Sequence, residues 1–180
     1  MMRKLKNSEL NRIDVSTFKS IKKTPLIIIL DNIRSLNNIG SIFRTCDAFK
    51  IEKIYLCGIT ATPPNRKITK TAIGATESVE WEYCDNVNDI VTGLKNQGFK
   101  IWAVEQTENS KNLSDIKNIE TKVKHALIFG NELNGVRQEI VNSCDDVIEI
   151  SQYGTKHSLN VSIAAGIVIW SFFNLLHKRN

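Results

Sequence analysis

With 180 residues, 42% hydrophobic and 24% charged, the chain has the make-up of one globular domain, long enough to bury a substantial core and too ordinary in composition to be fibrous or disordered. The formal charge of +5 is concentrated at one end: residues 1–24 hold seven basic side chains against two acids, and the remainder balances. Four scattered cysteines without C-x-x-C spacing argue against a disulfide framework or a zinc site, and the Lys- and Asn-rich start lacks the apolar run of a signal peptide, so a reduced, cytoplasmic setting is expected.

The chain divides into a basic extension, 1–24, and one domain, 25–180. Leu26–Asp31 is a continuous apolar, β-branched run of the length of a strand covered on both faces. Ile39–Phe49 then changes to helical spacing, with Ile39, Ile42, Phe43 and Cys46 on one side and Arg44 facing away. Asn37 and Asn38 are natural caps for that helix. A short strand follows at Ile54–Cys57, and Gly58–Gly74 reads as a long polar connection without regular structure, carrying Arg66, Lys67 and Lys70. After a short element at Gly74–Val79, the pattern predicts strands at Val79–Tyr83, Lys100–Val104, Ala126–Phe129 and Val147–Ile150. It predicts helices at Asn88–Asn96, Gly135–Ser143 and Ser158–His177. Such alternation specifies an α/β fold, a mostly parallel sheet with helices on both faces. The apolar run Val161–Phe173 is too short and too interrupted for a membrane span and reads as a buried helix.

Three segments place polar groups and glycines beyond predicted strands, where open α/β sheets gather ligand sites. They are Asn38-Ile39-Gly40-Ser41-Ile42-Phe43-Arg44, Gly130-Asn131-Glu132-Leu133-Asn134-Gly135 and Ser158-Leu159-Asn160-Val161-Ser162. No G-x-G-x-x-G or P-loop lysine motif accompanies them, which argues against a generic dinucleotide or NTP enzyme.

In this order the three segments resemble the motifs of the SpoU (TrmH) family of RNA 2′-O-ribose methyltransferases, in the SPOUT superfamily, from about Leu26 to Phe173. The resemblance implies a C-terminal deep trefoil knot, S-adenosylmethionine as cofactor and a homodimer, with no metal. It implies a cofactor site in loops after the last three strands of the domain: Glu105, Gln106 and Thr107, then Gly130 and Asn131, then Ile150 and Gln152, with Ser158 and Leu159 beside them. It also implies a catalytic set of Arg44, Asn38, Glu132, Ser158 and Asn160.

Physical chemistry qualifies the roles. A guanidinium with a pKa above about 12 is a poor base. Arg44 is therefore expected to grip the phosphate beside the target ribose and to stabilise the alkoxide as it develops. Glu132, acceptor-only when ionised, suits a ribose hydroxyl, a backbone amide or Arg44. Ser158 and Asn160 suit either an electron-rich ligand at a helix start or simple capping. His157 reads as a loop residue outside the catalytic set. RNA contacts are expected from Arg12, Arg66, Lys67 and Lys70, with Lys178 and Arg179 as further candidates, positioning the strand without reading its sequence. The short basic extension favours tRNA over rRNA. The rival expectations are a ribosomal RNA substrate, a base-methylating enzyme of the superfamily, and a non-catalytic RNA-binding protein on the same scaffold.

Overall fold

Burial in the first long strand alternates by side and sets up both layers of the domain. In a computed structural model describing residues 2–178, strand β1 (Thr24–Asp31) turns Leu26, Ile28 and Leu30 to one face of the sheet and Ile27 and Ile29 to the other, all five buried. Arg179 lies outside the described residues. The elements that follow are α2 (Leu36–Ala48), β2 (Ile51–Cys57), α3 (Arg66–Ala72), α4 (Ala75–Ser78), β3 (Trp81–Cys84), α5 (Val87–Asn96) and β4 (Lys100–Val104). The chain finishes with β5 (Lys111–Asn112), β6 (His125–Phe129), α6 (Gln138–Ser143), β7 (Asp146–Glu149) and α7 (Val161–Leu176); a short helix α1 (Val15–Ser20) precedes β1.

The seven strands run in the order β3-β2-β1-β6-β4-β7-β5, and every pairing is parallel. One face packs Ile39, Ile42 and Phe43 of α2, Ile68 of α3 and Val168, Ile169 and Phe172 of α7 against the sheet. The other packs Val91 and Leu94 of α5 and Ile140 of α6 against Ile27, Ile29, Ile101 and Ile128. The expected parallel α/β sheet with helices on both faces is what the chain forms. Among the described residues no helix is long and apolar enough to cross a membrane.

Several boundaries differ from the sequence expectation for local reasons. Within the supposed irregular connection, α3 forms because Asn65 accepts from the Lys67 amide and because Ile68 and Ala72, four residues apart, are both buried. Helix α2 starts earlier than expected and is capped by Ser35, whose hydroxyl accepts from the Asn38 amide; Asn37 and Asn38 lie inside it. Helix α7 begins at Val161, with Asn160 as its cap, which leaves Ser158 in the preceding loop. Helix α6 begins at Gln138, because 131–135 form a tight turn closed by paired Asn131 and Gly135 backbone bonds. The small edge strand β5 has no counterpart in the pattern. Part of the basic extension is folded: Asp14 caps α1 by accepting from the Thr17 amide, and Phe18 is buried in the main core.

Candidate active site

The loops leaving the carboxyl ends of β1, β6, β4 and β7 converge beside the start of α7. The exit of β1 is fixed from within: Thr60 Oγ1 donates to the Leu30 carbonyl (3.0 Å) and accepts from the Ile33 amide (2.9 Å), with Thr60 buried. Asn32, in the left-handed region (φ 59°), accepts from the Ile59 amide at 3.1 Å. These bonds place the amino end of α2 against the loop after β6.

There Glu132 makes the organising contacts. Its carboxylate accepts from the Arg34 amide (2.9 Å), the Ser35 amide (3.0 Å) and Asn38 Nδ2 (3.1 Å). Partial burial alone would raise the Glu132 pKa; the two amides and Asn38 outweigh it and hold the carboxyl below its ordinary range. Asn38 Oδ1 in turn accepts from Asn160 Nδ2 at 3.1 Å, while Asn160 Oδ1 accepts from the Ser162 amide and hydroxyl. One residue from each of the three motifs is thus linked in a single chain, Glu132–Asn38–Asn160.

Beside this chain lies a cavity of about 560 Å³, within the range of small-molecule sites. Phe129, Ile150, Val161 and Ala164 give it an apolar lining; Gln106, Asn134 and Gln152 add carboxamides. Of the residues the sequence assigned to a cofactor, Glu105, Gln106, Gly130, Asn131, Ile150, Gln152, Ser158 and Leu159 all line it, together with Glu132 and Asn160. Thr107 does not: its carbonyl accepts from Ser110, and the residue is taken up in a turn. The apolar lining and carboxamide donors and acceptors fit an adenosine-sized ligand.

Several roles differ in detail from expectation. A Cβ on Gly130 would meet the Gly135 carbonyl carbon at 2.1 Å and the Val136 nitrogen at 2.2 Å, so this glycine is required by closure of its own loop rather than by approach to a ligand. Glu105 is a loop clamp, accepting from the Val136 amide (2.8 Å) and the Gln106 amide (2.8 Å). The side chain of Asn131 is used internally, donating to the Asn32 carbonyl (2.7 Å) and accepting from the Leu133 amide.

Arg44 is not in this cavity. It is exposed on α2, six residues beyond Asn38 and so about 9 Å further along the helix, and it borders a separate depression with Lys70. Arg66 and Lys67 open α3 and Lys70 sits in its last turn, all exposed; Arg12 is exposed ahead of α1. Lys178 donates to the Lys117 carbonyl at 2.8 Å, which ties it to the protein surface.

Sequence reasoning missed Arg34, whose amide holds Glu132, and Glu149 and His157, which line the cavity. His157 also fixes Gln106 by accepting at its carbonyl from Gln106 Nε2 (2.9 Å). Arg34 lies only four residues before Asn38, a proximity that offered a signal; the contacts of His157 have none in the sequence.

A parallel α/β sheet with a nucleoside-sized cavity at its carboxyl edge, ringed by residues from three distant segments, defines a cofactor-dependent α/β enzyme fold. Residues 25–170 match the family described as the SpoU rRNA Methylase family, and the chain belongs to that family. It is 36% identical over 153 residues to a tRNA (guanosine(18)-2′-O)-methyltransferase of Aquifex aeolicus, covering 83% of this chain and 69% of that protein. It is 31% identical over 162 residues to the 23S rRNA (guanosine-2′-O-)-methyltransferase RlmB of Vibrio parahaemolyticus, covering 90% and 64%. The AdoMet-bound rRNA methyltransferase from Sinorhizobium meliloti superposes with a TM-score of 0.78 at 26% identity, over 89% of this chain and 61% of that one. The chain thus spans about two thirds of the length of these relatives.

Proposed function

We propose that this protein transfers a methyl group from S-adenosylmethionine to a ribose 2′-hydroxyl of RNA, with tRNA as the leading substrate. The observation that carries the reading is the Glu132–Asn38–Asn160 chain beside the cavity, in a member of a family of RNA methylases. S-adenosylmethionine supplies, when bound, a methyl group already activated on a sulfonium, so the protein's share is alignment and charge placement.

The residues divide that share. The cavity wall at Phe129, Ile150 and Leu159 takes the adenine, and Gln106 and Gln152 offer hydrogen bonds around it. Glu132 is committed to three donors and acts as a positioning group that sets Asn38 and the start of α2. Ser158 and Asn160 line the α7 end of the cavity, the side assigned here to the ribose. Arg44, exposed and about 9 Å along α2 from Asn38, suits a grip on the phosphate next to the target ribose, where its charge also favours the developing alkoxide. Ribosomal RNA is the second reading, since one relative acts by its name on tRNA and another on 23S rRNA.

The same reading includes a knotted C-terminal part, a cytoplasmic setting and a homodimer. The dimer is supported by α7, which leaves Ile163, Ile167 and Trp170 at 56%, 39% and 58% exposure along one stripe. The test of the function is transfer of labelled methyl from S-adenosylmethionine to unmodified tRNA and rRNA fractions. Label in tRNA supports the leading substrate, and label in rRNA alone replaces it with the second reading. No label in any fraction, with the cofactor bound, removes the enzyme.

A further inference from the structure

The cavity beside the Glu132–Asn38–Asn160 chain carries one sign of charge: Glu105, Glu132 and Glu149 line it, and no lysine or arginine does. Two of these acids are taken up by the fold. Glu105 accepts from the Gln106 and Val136 amides, and Glu132 from the Arg34 and Ser35 amides and Asn38 Nδ2, so each carboxylate already faces the positive ends of donor dipoles. Glu149 differs. It is the last residue of β7, half-buried, and among the described residues its side chain accepts no hydrogen bond and joins no ion pair. The lysines of the neighbouring strands, Lys100 and Lys111, are held by Asp146 instead.

A carboxylate fixed by a strand at the wall of a ligand cavity, with its acceptor capacity free, acts on whatever charge the ligand brings, and partial removal from water strengthens that action. S-adenosylmethionine brings a sulfonium. The ammonium and carboxylate of its amino-acid end oppose one another, so the sulfonium leaves the cofactor net positive. In transfer the carbon–sulfur bond breaks with both electrons staying on sulfur, the methyl group joins the ribose oxygen, and the hydroxyl proton passes to water. The spent cofactor, S-adenosylhomocysteine, is therefore net neutral. Shape separates donor from product by a single methyl group, whereas charge separates them by a full unit.

We propose that Glu149 is the specificity-determining acid of the cavity, favouring the cationic methyl donor over its neutral product and so promoting release of the spent cofactor. The inference rests on S-adenosylmethionine being the ligand of this cavity. Glu149 acts through its charge on the sulfonium and not as a hydrogen-bond anchor. The opposed charges of the amino-acid end, common to donor and product, largely cancel at an acid that does not touch them.

The experiment is calorimetric binding of S-adenosylmethionine, S-adenosylhomocysteine and methylthioadenosine to the full chain at pH 8, above the ordinary imidazole range near 6.5, which keeps imidazole charge out of the comparison. Wild type is compared with Glu149→Gln and Glu149→Asp, and Glu149→Ala stands in should the glutamine variant fail to fold. Glu149→Gln is expected to weaken S-adenosylmethionine about tenfold and S-adenosylhomocysteine less than about threefold, with methylthioadenosine unchanged. Its melting temperature is expected to stay near wild type, because no donor loses a partner. Glu149→Asp keeps the charge and is expected to keep the preference for donor over product. Equal losses for donor and product would put Glu149 on the amino-acid end, and equal losses for all three ligands would put it on the ribose hydroxyls. Either result overturns charge selection, as does unchanged S-adenosylmethionine affinity in Glu149→Gln. Binding in the expected pattern without any methyl transfer to RNA would overturn the proposed reaction and leave the role of Glu149 standing, and a wild type that binds none of the three ligands would overturn both.

Discussion

Asn160 Nδ2 donates to Asn38 Oδ1 at 3.1 Å across 122 residues of chain, and this bond fastens the amino end of α7 to the first turns of α2. The same Asn160 caps α7 through the Ser162 amide at 2.9 Å. Its two roles are separable. Asn160→Ala is expected to lose about 1 kcal/mol of stability from the cap together with methyl transfer. Asn160→Ser keeps a capping oxygen but is too short to bridge to Asn38, so it is expected to melt near wild type while transfer still falls. Thermal unfolding beside a transfer assay checks both, and equal activity in Asn160→Ser and wild type would show that the bridge to Asn38 has no part in transfer.

Glu132 ties acid stability to the site. Its folded pKa is depressed, so the unfolded chain takes up the proton first as pH falls. The stability it contributes is complete above the ordinary carboxylate range, near 4.3, and disappears as pH drops through the folded value. Glu132→Gln is expected to be less stable at pH 7 by about 1–3 kcal/mol, because its carboxamide keeps one accepting oxygen and turns a nitrogen either to the Arg34 amide or to the Ser35 amide and Asn38 Nδ2. The difference from wild type should shrink below pH 4.5. Urea unfolding at pH 7 and pH 4 reads this directly.

His125 works in the opposite charge sense. It is fully buried, its Nδ1 accepts from Trp102 Nε1 (3.0 Å), and its Nε2 lies 2.9 Å from the Glu120 carbonyl, as a neutral ring protonated at Nε2 requires. Burial pushes its pKa down, the Glu120 carbonyl opposing. The neutral form is the folded form, so stability is expected to fall as pH drops below the unfolded value near 6.5 and to level off below the folded value. Denaturation monitored by tryptophan fluorescence at pH 7.5 and 5.5 tests it, with His125→Gln losing that dependence.

How much of this was legible in the sequence depends on where the information lies. Leu26–Leu30 announces a doubly covered strand because its burial depends only on its own residues, and the helical stripe of Ile39, Ile42, Phe43 and Cys46 does the same for α2. Helix α3 was missed because only Ile68 and Ala72 among its seven residues are buried, too few to register as a period. The membership of the cavity was readable from the three motifs. The identity of bonding partners was not: Ser158 and Asn160 are both competent caps by chemistry, and only the position of Asn38 in space decides for Asn160. Arg44 was readable as an outward residue six positions beyond Asn38 on one helix, but which groups share its depression, Lys70 and Ile73 of the following segment, no local pattern records.

Gly130 gives a steric test. Gly130→Ala places a methyl group within about 2 Å of the Gly135–Val136 peptide and is expected to open the 131–135 turn, costing about 1–3 kcal/mol. Loss of cofactor affinity by calorimetry with the sheet intact by circular dichroism is the predicted pattern; retained affinity would mean the loop does not shape the site.

The α7 stripe gives an assembly test. Trp170→Glu puts a charge in the proposed dimer face without touching the core residues Val168 and Ile169. Sedimentation is expected to find wild type as a dimer and Trp170→Glu as a folded monomer. A wild-type monomer at the concentrations of the transfer assay would sink the dimer.

The central claim is that Arg44 acts on RNA from outside the cofactor cavity, and the most direct test is single-turnover methyl transfer by wild type and Arg44→Ala, with S-adenosylmethionine affinity measured on both and the product digested to nucleosides. The expected result is a 2′-O-methyl nucleoside from wild type, transfer reduced about 10²–10³-fold in the variant, and cofactor affinity unchanged. Undiminished transfer by Arg44→Ala, or label recovered on a base instead of a ribose, would contradict it.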